Sequence, residues 1–206
     1  MGLFYTASPK ELLQIRNKIF LDFGLSALQK NGFQKSPFST AWFGKSENIG
    51  YSYELCRLAD HDLLEIISVH IVRGESWIQV SLNIFKLQPH LDSLNQLTNL
   101  DGLKFNLPPN SVSAMRLKSD DTKGPPILNY NFWFGNHKLG SYHTKAGLSK
   151  RAEELGKIIE TDLSNIDSFV KRWHEIHQPL TTSWEGAPMV KPCEVRGSRS
   201  VQTSKV

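Results

Sequence analysis

A chain of 206 residues with 39% hydrophobic and 21% charged side chains has the make-up of a globular protein large enough for one good core. Its 24 basic and 20 acidic residues leave a formal charge of +4, too modest to argue for a nucleic-acid-binding domain. Two cysteines, Cys56 and Cys193, make neither a disulfide framework nor a zinc site. No stretch approaches the roughly 20 apolar residues of a membrane span, and the N-terminus lacks a signal-peptide layout, so a cytoplasmic location is expected.

Met1 to Ala7 is a short apolar lead that suits an edge strand or a loose surface segment. Ser8-Pro-Lys-Glu11 then supplies a capping hydroxyl, a proline for the first helical position and a Glu spaced to bond back to the cap amide. Leu12, Ile15, Ile19 and Phe23 follow as an apolar stripe, which puts Arg16, Lys18 and Asp22 on the solvent side. Gly24 bends or breaks this helix, Leu25 and Leu28 carry the pattern on, and Asn31-Gly32 stops it. Thr40 to Phe43, with Trp42, reads as a short strand.

The stretch from Ile49 to Phe85 organises the rest, as a three-stranded antiparallel meander of Ile49 to Cys56, Leu63 to Val72 and Trp77 to Phe85. Side chains on a strand alternate between faces. Ile49, Tyr51, Tyr53 and Leu55, then Ile67, Val69 and Ile71, then Ile78, Val80, Leu82 and Ile84 therefore share the inner face. Ser52, Glu54, Ser68, His70, Gln79, Ser81 and Asn83 meet on the outer one, with Trp77 and Phe85 at the ends of the third strand. The connections Ala59 to Asp62 and Arg73 to Ser76 have the short polar character of hairpin turns.

Gln88 to Pro126 is broken by prolines and glycines; Leu91, Leu94 and Leu97 mark a short helix, and Ser111 to Leu117 a further strand. Alternation returns from Ile127 to Phe134, and Gly135-Asn136 is a hairpin turn into Lys138 to His143. From Leu148 the period is helical, with one stripe at Ala152, Leu155, Ile158 and Ile159 and another at Ile166, Phe169, Val170 and Trp173; a bend falls at Thr161 to Ser164. From Gln178 apolar periodicity stops. The fold class expected is α+β: an antiparallel sheet of about five strands with an N-terminal helix and C-terminal helices on one face. Residues 1–177 form one domain in this reading, and 178–206 a flexible basic tail.

The run Asn31-Gly-Phe-Gln-Lys35 after an N-terminal helix, the stretch around Trp42, the meander and a closing helix resemble an uncharacterised bacterial domain family of unknown function over residues 9–177. The resemblance implies this fold and carries no catalytic residue, because that family has no assigned chemistry.

Few residues point to chemistry. His174 and His177 lie three apart on a helix but lack the third ligand of a zinc-protease helix, and the helix dipole favours such histidines near a C-terminus. Asp60-His61-Asp62 suits acid–base work or a metal, and suits a hairpin turn at least as well. Gly135 and Gly140 form no phosphate cradle, and no serine sits in a Gly-x-Ser-x-Gly elbow. Lys191, Arg196 and Arg199, with Trp184 to stack on a base, offer a sparse nucleic-acid contact in the tail. The expected function is a non-catalytic interaction protein, of the kind represented by bacterial immunity, defence or regulatory partners. It needs no cofactor or metal, and binds another protein through Glu54, His70, Trp77, Ser81 and Asn83. The alternative is a hydrolase or nuclease whose site is assembled from Glu54, His70 or Asp60-His61-Asp62.

Overall fold

The N-terminal helix begins where its capping signal lies. In the computed structural model, which describes residues 5–47, 49–98, 100, 114–117, 137–140 and 142–184, α1 spans Pro9–Ile19 and the Ser8 hydroxyl accepts from the Glu11 amide at 3.2 Å. The Glu11 carboxylate does not return to the cap amide as expected; it accepts the Tyr5 hydroxyl at 2.5 Å. The helix neither stops nor breaks at Gly24. It widens into a π-helical segment, Phe20–Leu25, and resumes as α2, Ser26–Lys30. Leu13, Ile19, Phe20 and Leu28 are in the core, and Arg16, expected on the solvent side, lies three residues from Leu13 and four from Phe20 on the same helix face and is buried among them.

Among the described residues seven strands form one sheet: β1 (Gln34–Lys35), β2 (Phe43–Ser46), β3 (Gly50–Ala59), β4 (Leu63–Val72), β5 (Gln79–Leu87), β6 (Met115–Arg116) and β7 (Leu180–Thr182). The meander β3-β4-β5 is antiparallel, with Tyr53 opposite Val69 and Val69 opposite Val80, and Leu55 opposite Ile67 and Ile67 opposite Leu82. This is the register that alternation implies. The inner residues bury against the helical layer of α1, the π segment, α3 (Lys145–Ser164) and α4 (Ile166–Ile176). Each fully buried aliphatic side chain there contributes about 1.5–3 kcal/mol through apolar area removed from water. Asn165 separates α3 from α4, just beyond the expected bend. Arg57 ties sheet to helices: its guanidinium meets Glu65 at 2.6 Å and Asp167 of α4 at 2.7 Å, and lies over the Phe33 ring.

Two boundaries move. The expected strand at Thr40 to Phe43 is instead Phe43–Ser46, paired with β3 from Tyr53 to Gly50. The first meander strand starts one residue late, at Gly50, whose φ of +134° and tight packing, with the Ile71 carbonyl where a Cβ would sit, admit only glycine. Ile49 is therefore outside the strand and 41% exposed, not in the core.

The outer face of the sheet is half apolar. Cys56, Ile66, Leu64, Phe85 and Leu87 form a second core with Leu91, Leu94 and Leu97, the last two in a 3-10 turn at Leu94–Leu97. Phe85 is 1% exposed and so is not an aromatic edge of the outer surface. The structured chain also runs past residue 177. β7 pairs in parallel with Phe85 to Leu87, and Trp184 packs on the second core with its indole N–H donating to the Pro89 carbonyl. The expected tail thus begins too early, because three residues are too few to show a period. Of the Ser111 to Leu117 strand the described part is β6. The Ile127 to Phe134 strand and its Gly135-Asn136 turn lie outside the described residues, as do the tail cations Lys191, Arg196 and Arg199. Lys138 makes a single bridge with Trp77 rather than opening a strand.

Candidate functional site

The outer residues singled out by alternation are brought together by the register. Ser52, His70 and Gln79 stand in one row across β3, β4 and β5; Glu54, Ser68 and Ser81 stand in the next, with Asn83 one step further along β5. Ser52 Oγ and His70 Nδ1 are 3.1 Å apart. Burial holds the His70 imidazole below its ordinary pKa, and burial also raises the Glu54 carboxyl, against a smaller opposite pull from the Ser36 hydroxyl. Asn83 caps the amide of Ile84 at 3.0 Å. Trp77 lies before the start of β5, with the Lys138 ammonium 5.3 Å from its ring centre, so it is half-covered rather than a free end.

At the β2 end of this face is a concavity of about 360 Å³, lined by Trp42, Ser46, Glu47, Ile49 and Ser52. Trp42 is 51% exposed, and its indole N–H donates to the Lys45 carbonyl at 3.3 Å, which pins one edge of the ring. Ser52 joins the pocket to His70. Sequence reasoning missed Glu47 and Ile49 and used Trp42 only as a landmark. Alternation assigned Ile49 inward, and only the conformation of Gly50 turns it out.

The remaining candidates are dispersed. Asp60-His61-Asp62 is the three-residue connection that closes the β3-β4 hairpin between the paired Ala59 and Leu63, with left-handed φ of +51° at Asp60 and +61° at His61. His61 Nδ1 lies 3.2 Å from the Leu91 carbonyl, and Asp62 is 3.2 Å from Lys86 and 3.7 Å from His90. That turn is seven pairs along the ladder from Ser52 and His70, roughly 23 Å at strand rise. His174 and His177 both pack on the Trp173 ring, at 5.4 and 5.3 Å between ring centres. Among the described residues no group of three or more His, Cys, Asp or Glu is placed to hold a metal ion. The Cys56 thiol is buried and pushed up to about 12, mainly by burial, which keeps it a thiol rather than a nucleophile.

One pair escaped sequence reasoning altogether. His137 Nε2 and Asp162 Oδ2 are 2.7 Å apart in the interior, joining the segment beside β5 to α3, and among the described residues His137 Nδ1 has no partner. Nothing in the local pattern of either residue signals the other, 25 positions away.

No helix among the described residues is long and apolar enough to cross a membrane. Comparison with protein-family models, with curated proteins and with solved structures finds no match for the chain. The site is therefore characterised by its own geometry.

Proposed function

We propose that this chain is a non-catalytic interaction protein that holds a protein partner at the β2 end of its outer sheet face. One observation carries the reading: two large apolar side chains left at the surface, Trp42 and Ile49, converge on one pocket beside a row of polar groups. An exposed aromatic anchor ringed by hydroxyls and a carboxylate is the composition of a binding hot spot. The partner surface expected from alternation, Glu54, His70, Ser81 and Asn83, adjoins this pocket, and Trp77 is peripheral to it.

A hydrolase or nuclease has less support. Ser52 is buried, its hydroxyl meets Nδ1 of His70, and among the described residues no carboxylate hydrogen-bonds the other imidazole nitrogen. Glu54 and His70 are also a hairpin's length from Asp60-His61-Asp62.

The test is a photo-crosslinking residue placed at position 42 or, as a control, at Ile176, an equally exposed apolar site on α4. Adducts with a discrete protein from position 42 and none from position 176 are the expected result. Equal labelling from both, or none from position 42, would overturn the reading.

A further inference from the structure

The pocket's lining has a sign. Among the described residues it contains one carboxylate, Glu47, and no basic residue, in a chain whose basic residues exceed its acidic ones by four. Among the described residues the Glu47 side chain enters no hydrogen bond or ion pair; only its backbone carbonyl is used, accepting from Arg73 Nη2 at 3.5 Å. Beside it stands the half-exposed indole of Trp42, held by one edge, with Ile49 as an aliphatic wall and Ser46 and Ser52 completing the lining. An aromatic face attracts a cation through its quadrupole, most strongly for Trp. A neighbouring carboxylate adds a charge-assisted hydrogen bond, and a planar guanidinium can use both at once, by stacking and by a forked contact. A volume of about 360 Å³ has room for one long side chain with its water.

We propose that this pocket receives an arginine side chain of the partner protein, its guanidinium stacked on Trp42 and paired with Glu47, its methylenes against Ile49. The assignment deepens the interaction reading above and rests on it.

The probe is the blocked peptide acetyl-Gly-Gly-Arg-Gly-Gly-amide, titrated into the full chain while the indole N–H resonances are followed by NMR, with Trp42 assigned from its loss in Trp42→Phe. The Trp42 signal should move saturably. The citrulline peptide, the same shape without the charge, should bind at least about tenfold more weakly, a difference of about 1.4 kcal/mol. Glu47→Gln, whose exposed position makes it neutral for folding, should weaken the arginine peptide by about fivefold or more. A citrulline peptide that binds equally, a Glu47→Gln protein that binds unchanged, or an unmoved Trp42 signal would each overturn the cation assignment. A lysine peptide that binds more tightly than the arginine one would overturn the choice of guanidinium. Should the assignment fail while position 42 still crosslinks to a partner, the interaction reading stands; should both fail, neither does.

Discussion

His70 is half-buried against Ser52, with Glu54, Ser68 and Gln79 as its neighbours on the sheet face. Because burial disfavours the imidazolium, its pKa is lower folded than unfolded. The unfolded chain then takes up this proton first, so the contribution of His70 to stability is constant above the ordinary histidine range and is lost as pH falls through it. Glu54 acts in the opposite sense. Its raised pKa means that the folded chain holds the extra proton, and its contribution falls as pH rises through the ordinary carboxylate range to the raised value. Urea unfolding at about pH 7 and about pH 5.5 should show the wild type losing more stability on acidification than His70→Gln. Equal losses would contradict the placement of this ring.

At the same scale, Asp162→Ala strands the buried Nε2 of His137 and should cost about 1–3 kcal/mol in the same assay. An unchanged unfolding midpoint would mean that the pair is not formed. Neither this pair nor the burial of Arg16 was legible in the sequence. Arg16 was put on the wet side by its charge, although Leu13, Arg16 and Phe20, three and four residues apart, share one face of the helix.

Among the elements, the meander was the most legible because its signal is local: strict alternation from Ile67 to Ile71 and from Ile78 to Ile84 determines which side chains face inward, and hence the register. β2 and β7 were misplaced or missed. They are four and three residues long, and their pairing partners on β3 and β5, not their own patterns, make them strands. The π segment has a packing role. At Gly24 an added Cβ would lie 2.8 Å from Phe20 Cδ2, 3.0 Å from Ile159 Cγ2 and 3.1 Å from Leu163 Cδ1, so the glycine lets this helix approach α3 closely. Alanine there gains up to about 1 kcal/mol of helix propensity but meets overpacking of about 1–3 kcal/mol. Gly24→Ala should therefore destabilise the protein in urea unfolding; a more stable variant would show that the helices do not touch at this point.

In the whole molecule, one sheet separates two unequal cores. The larger lies under the helices, and among the described residues the smaller is confined to the hairpin-tip half of the outer face, which leaves the other half, toward Trp42, polar. The large core could be derived from the sequence. The small one could not, since it depends on Leu180 and Trp184 returning from the far end of the chain. Trp184→Ala should cost about 2 kcal/mol, less than a fully buried tryptophan, and its unfolding curve reports this directly. No change would place Trp184 outside the fold. The candidate pocket was illegible for a related reason: Trp42, Glu47 and Ile49 share no period, and they meet only because β2 folds back on β3 at Gly50.

The affinity of the crosslinked partner for three proteins tests the central claim most directly. Trp42→Ala should weaken binding at least about tenfold relative to wild type, as truncating a hot-spot aromatic does, while Ile176→Ala stays within about twofold. Equal affinities for all three, or a loss confined to Ile176→Ala, would contradict the assignment of the partner to this end of the sheet.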